Sequence, residues 1–159
     1  MSVQAATGTK IYVGTTAAAT SLTSFKADTY TQISQVQNFG AFGDESEIIK
    51  FTSLSDSRVH KVAGPRDAGD VELTIGYDLG DAGQDELIAA FEANAGSPFN
   101  FECELNDALT TGLGPHSGTS FFWKGVVISK RIETGSSTDV VKLIVKVAIT
   151  SPVVIGDAA

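Results

Sequence analysis

The feature that most restricts this chain is an alternation of apolar and polar residues at period two. In "DVELTIGYD", residues 70–78, Val71, Leu73, Ile75 and Tyr77 share one side and Asp70, Glu72, Thr74, Gly76 and Asp78 the other. A strand lying between core and solvent needs that pattern, because successive side chains leave opposite faces. "PFNFECELND" repeats it, which predicts Phe99, Phe101, Cys103 and Leu105 facing in and Asn100, Glu102, Glu104 and Asn106 facing water. "TDVVKLIVKVAIT" puts Val141, Leu143, Val145, Val147 and Ile149 on one side, while Lys142 and Lys146 interrupt the other. Less regular strands are expected in "KIYVG", "YTQISQVQNF", "EIIKFTSL", "SRVHKV" and "SFFWKGVVISKRIE".

One segment departs from period two. "GDAGQDELIAAFEANAGSP" offers Asp81 as N-cap with Gln84 three residues on, Asp85 and Glu86 in the first turn, and Gly96 then Pro98 as a stop. Leu87, Ile88, Phe91 and Ala95 fall on one stripe, so this helix is expected to lie on the sheet. The fold class is therefore mainly β: an antiparallel β-sandwich or barrel of about eight strands with one flanking α-helix.

The 159 residues fit one domain, with residues 1–8 and 152–159 as loose termini and 54–68 as a charged loop. A chain of this length buries about two-thirds of its unfolded surface and needs no disulfide or metal to fold. Its single cysteine, Cys103, cannot form an internal bridge, which fits a reducing compartment. The N-terminus lacks the charged and apolar regions of a signal peptide, and no apolar run reaches the roughly 20 residues of a membrane span, so no membrane anchor is expected. A formal charge of -8 argues against tight binding to a phosphate backbone. "TTAAATSLTSFK", residues 15–26, reads as a small, polar loop.

Catalytic chemistry is sparse. His60 and His116 are far apart in sequence and are expected to be solvated. Cys103 lies on an apolar strand face, where a thiol behaves as a small hydrophobe. "GLGPHSG" fits neither the dinucleotide fingerprint nor the P-loop, and "DLGDAGQDE" lacks the ligand spacing of a calcium loop. Neither enzyme activity, a metal nor a cofactor is expected.

The succession from "ESEIIKFTSLSDSRVHKVAGPRDAGDVELTIGYDLGDAGQDELIAAF" to "FFWKGVVISKRIETGSSTDVVKLIVKVAIT" resembles the major tail tube proteins of long, non-contractile-tailed bacteriophages. The resemblance runs over residues 8–151. It rests on Gly64, Asp67, Gly69, Asp70, Leu73, Tyr77, Asp78, Gln84 and Leu87, then on Gly125, Val127, Ser129, Asp139, Val141, Lys142, Val145, Ile149 and Thr150. It implies a virion structural protein assembled in the host bacterial cytoplasm into stacked hexameric rings. The resulting hollow tube would surround a tape measure protein, meet tail terminator and tail tip proteins, and later pass DNA without binding it tightly.

On that reading Glu45, Glu47, Asp70 and Glu72 are expected to face the lumen, since a channel for a polyanion should not attract phosphate. The 54–68 loop, with Asp56, Arg58, His60, Lys61, Arg66 and Asp67, is expected to contact the next ring. The rival is a virion decoration or receptor-contact β-sandwich module using Phe121, Trp123 and residues 106–118 as its surface.

Overall fold

The computed structural model describes residues 3–93, 96–109 and 114–158. The elements run β1 (Lys10–Val13), α1 (Leu22–Lys26), β2 (Thr31–Ile33), β3 (Val36–Phe39), β4 (Glu45–Phe51), β5 (His60–Asp67), β6 (Asp70–Gly76), α2 (Ala82–Ala93), β7 (Phe99–Glu104), β8 (Ser120–Glu133), β9 (Lys142–Ile149) and β10 (Val154–Gly156). The main sheet is antiparallel, in the order β2-β1-β7-β8-β9-β6-β3, and β4 and β5 form a separate two-stranded ribbon.

The sheet order dictates a barrel. β2 and β3 occupy opposite edges, yet only Ser34 and Gln35 separate them. Three peptide steps reach at most about 11 Å, so the two edges must curl toward one another. The expected single strand over 30–39 is thus two strands, broken where Gln35 takes a left-handed φ of 62°. Gln84, fully buried, holds the splice: its amide nitrogen donates to the carbonyls of Ser34 (3.3 Å) and Gly76 (2.9 Å), and its oxygen accepts from the Asp78 N–H (3.0 Å). Asp81 caps α2 by accepting from the Gln84 N–H at 3.0 Å, and it also accepts from the Ser34 N–H. Gln84 therefore serves barrel closure instead of the reciprocal capping bond its spacing suggested.

The interior receives Ile11, Val13, Ile33, Val71, Leu73, Ile75, Phe101, Cys103, Trp123, Leu143, Val145, Val147 and Ile149, as the alternation predicts for β6, β7 and β9. Helix α2 packs on β8, β2 and β1 and adds Leu87 and Ala90 to this core, with Ile88 and Phe91 partly buried; Ala95 lies outside the described residues. Trp123 is 1% exposed, which removes it from any contact surface, and residues 110–113 of the 106–118 segment lie outside the described residues.

Three expectations fail for identifiable reasons. Residues 154–156 are not loose: after β9, Thr150 donates its N–H to Lys124 (2.8 Å) and Ser151 Oγ accepts from the Lys124 N–H (2.8 Å). These bonds bridge the gap before Pro152, and β10 resumes pairing along the same edge of β8. The 15–26 segment is not a plain loop: Ser21 and Ser24 form a capping box for α1, and Phe25 and Ala19 pack on Phe122.

The third failure follows from the second. With that segment and residues 114–119 laid over it, the outer face of β7 is buried, so Asn100, Glu102 and Glu104 are 0%, 0% and 8% exposed. Each has polar partners. Asn100 donates to Asp28 (2.8 Å), Glu102 pairs with His116 Nδ1 (2.6 Å), and Glu104 accepts from the Gly118 N–H (3.0 Å) and Tyr12 hydroxyl (3.2 Å). His116 is thereby mostly buried, not solvated.

Candidate functional site

The β3–β6 ladder leaves the barrel and continues outward as the β4–β5 ribbon. The last barrel bond is donated by the Gly40 N–H to the Glu72 carbonyl (3.1 Å); Gly69, with φ 68° and its N–H on Asp67 Oδ1 (2.9 Å), makes the bend between β5 and β6. A side chain is disfavoured at that φ, and glycine is not. Every residue of β4 and β5 except Gly64 is exposed, so the ribbon contributes nothing to the core. Isolated two-stranded ribbons are marginal in water, because neither face and neither edge is covered.

Register gives the ribbon two unlike faces. Glu45 pairs with Asp67 and Ser46 with Arg66, while Ile48, Ile49, Lys50 and Phe51 pair with Ala63, Val62, Lys61 and His60. Between them a bulge sets Gly64 and Pro65 opposite Glu47, which keeps the faces continuous through the register shift. Period two then places Glu45, Asp67, Glu47, Ile49, Val62, Phe51 and His60 on one face. The other carries Ser46, Arg66, Ile48, Ala63, Lys50 and Lys61. The first face is acidic and apolar; the second is cationic.

The apolar side chains are conspicuously uncovered: Ile48 is 60% exposed, Ile49 51%, Phe51 64% and Val62 62%. Leu54 at the tip is as exposed as in an extended chain. Ile49, Phe51 and Val62 share one face and exceed the scattered single hydrophobes normal for a surface, as at an interaction site, while Ile48 stands on the other face. The adjacent pair Ile48-Ile49 was the readable signal, since neighbouring apolar residues on a strand point to opposite faces and both faces must then find cover.

Most of the expected 54–68 loop is strand β5; only the tip, 52–59, turns. The pairing with β4 imposes this, because alternation in "SRVHKVAGPRD" is too weak to mark so long a strand. Asp56 organises the tip, accepting from the Arg58 N–H (3.0 Å) and bonding His60 Nε2 (2.7 Å). Asp56 and His60 are thus brought together, whereas Arg58, Lys61 and Arg66 make no ion pair among the described residues. The four acids expected in the lumen do not form one group. Glu45 and Glu47 line a shallow depression at the ribbon root with Asp67. Asp70 and Glu72 stand on the outer face of β6, opposite Ala148 and Lys146.

Elsewhere the electrostatics are those of structure. Burial, with some help from Glu102, pushes the Cys103 thiol up to about 12, so it stays protonated. Burial also raises the Glu102 carboxyl, and the His116 bond offsets only part of that. Burial acts in the same direction on Asp28, but hydrogen bonds from Thr15, Asn100 and Thr29 outweigh it and hold its carboxyl below the usual range.

Among solved structures, the fold is similar to the sheath/tube terminator of the PVC extracellular contractile injection system in its extended state. That match has a TM-score of 0.67 and 13% identity and covers 98% of each chain. It is also similar to the anti-feeding prophage tube-terminating cap, with TM-score 0.66 and 15% identity over 99% of this chain and 93% of that one. The SPP1 tail tube gives TM-score 0.62 and 16% identity over 95% and 78%. At such identities the likeness is one of fold. No curated protein sequence matches the chain. Residues 3–97, however, match the phage tail tube protein family. The chain belongs to that family and is a structural subunit of a phage tail tube, a component of the virion tail.

Proposed function

We propose that copies of this chain join through the projecting ribbon into six-membered rings that stack as a hollow tube. The tube encloses a tape measure protein, ends at terminator and tip proteins, and conducts DNA at ejection. Assembly takes place in the cytoplasm of the host bacterium, and the resemblance in residues 64–87 and 125–150 favours a long, non-contractile tail. One observation carries this reading: a ribbon wholly outside the core gathers Ile48, Ile49, Phe51, Leu54 and Val62, all exposed, into a single projecting hairpin. Burying them against further copies recovers the hydrophobic stabilisation that the monomer leaves unused.

Asp70 and Glu72, on the barrel itself, are the acids that face the lumen; Glu45 and Glu47, on the ribbon, belong to the contact between copies. Lys146 opposite Glu72 makes the lumen wall mixed in charge, enough to avoid a cationic trap for DNA. Asp56 and Arg58 at the tip reach the neighbouring ring.

Negative-stain electron microscopy of the concentrated protein tests the assembly, with hollow six-fold tubes expected. Protein that stays monomeric at every concentration would refute it. Tubes of the Asp70→Asn/Glu72→Gln variant should form normally and, in virions, eject DNA more slowly; lost assembly would instead put these residues between copies.

A further inference from the structure

The ribbon contains two cross-strand pairs of like charge. Glu45 stands opposite Asp67 at the root, and Lys50 opposite Lys61 toward the tip. Like charges directly opposite destabilise a ladder, and neither pair finds a counter-ion among the described residues, whose ion pairs are His60–Asp56, His116–Glu102 and Lys130–Glu92. The two pairs also lie on opposite faces of the ribbon, the acids with Glu47 and the lysines with Arg66. A ribbon built this way is unfavourable alone and complementary to another copy of itself.

Symmetry restricts how two copies can meet. A two-fold contact of acidic face on acidic face would gather Glu45, Glu47 and Asp67 of both copies with no lysine or arginine between them, and one of cationic face on cationic face would gather both sets of Lys50, Lys61 and Arg66 with no carboxylate. Such juxtapositions cost several kcal/mol at an interface. We infer that the cationic face of one ribbon packs on the acidic face of the next, shifted along the strands so that Lys50 and Lys61 meet Glu45 and Asp67. Five residues separate the pairs on β4, so the shift is about 17 Å at the rise of a strand. At that shift the strands themselves overlap by only two residues, so Ile49, Val62 and Phe51 of one copy lie against the neighbour's tip around Leu54, and Ile48 lies against the chain just before the next copy's β4.

A contact between unlike faces is heterologous. Repeated, it closes into a ring or winds into a filament and does not stop at a dimer. This deepens the tube reading and rests on it, but it can fail separately.

The test is a charge swap. Lys50→Glu/Lys61→Glu and Glu45→Lys/Asp67→Lys, each checked for an unchanged circular dichroism spectrum and melting point, should each fail to assemble. Their critical concentrations should rise more than about 100-fold, the equivalent of several kcal/mol of repulsion. Mixed in equal amounts they should co-assemble near the wild-type concentration, because each then meets only the complementary variant. The conservative Lys50→Arg/Lys61→Arg variant should assemble alone. Variants that polymerise singly as wild type does, or that stay apart when mixed, would overturn the pairing while leaving wild-type tubes intact. A wild-type chain that never polymerises would overturn the assembly itself.

Discussion

Removing the apolar centre of the acidic face, in the double variant Ile49→Ala/Phe51→Ala, should weaken assembly and spare the fold. Full burial of such side chains is worth about 1.5–3 kcal/mol each. Phe51 keeps 64% of its surface in water and Ile49 51%, so roughly 1.5 and 1 kcal/mol respectively remain to be gained on assembly. The sum, about 2.5 kcal/mol per copy, corresponds to a rise of about 60-fold in critical concentration. Neither residue touches the core, so the monomer's stability should move by no more than about 0.5 kcal/mol. Pelleting assays across a concentration series measure the first quantity and thermal melts the second. Leu79→Ala serves as the control, since Leu79 is 80% exposed but lies in the turn before α2. An unchanged critical concentration in the double variant, or an equal change in the control, would refute the reasoning.

Two further outcomes concern the barrel. Glu102 has a folded-state pKa above its unfolded value, so its penalty is absent at low pH and grows as pH rises through the folded value. Glu102→Gln should therefore melt higher than wild type near about pH 8 and converge with it near about pH 4; a constant difference would show that the carboxylate's charge is not the cause. At Gly83 a Cβ would run into the backbone of Gln32, so Gly83→Ala should cost about 1–3 kcal/mol, read as a fall in melting temperature with no change in assembly slope.

The strands with one apolar face were legible because alternation is a direct record of burial. β6 and β9 sort their residues as the sequence implies, except Val141, which lies before β9 and is exposed, and β8 spans the expected 120–133. β7 shows the limit. Its Asn100, Glu102 and Glu104 look solvent-facing because polarity signals water only when nothing polar covers it, and the covering residues, Asp28 and His116, are 72 and 14 positions away from their partners. The spacing of Gln84 from Asp81 implies a local bond it does not make, since its partners Ser34 and Gly76 meet only once the barrel curls round. In sequence, the hairpin's charges show only as separate acids and bases. Their sorting into two faces depends on a bulge at Gly64 and Pro65, which the sequence alone does not locate.

Because no residue of the ribbon enters the core, its length is free of the constraints that bind the rest of the chain. Inserting or deleting two successive cross-strand pairs leaves the barrel's packing untouched and changes only how far the ribbon projects. The one rule is parity: an odd change would turn lysines onto the acid side and apolar residues with them. The reach of this arm can therefore change in steps of two residues per strand without altering the domain that carries it.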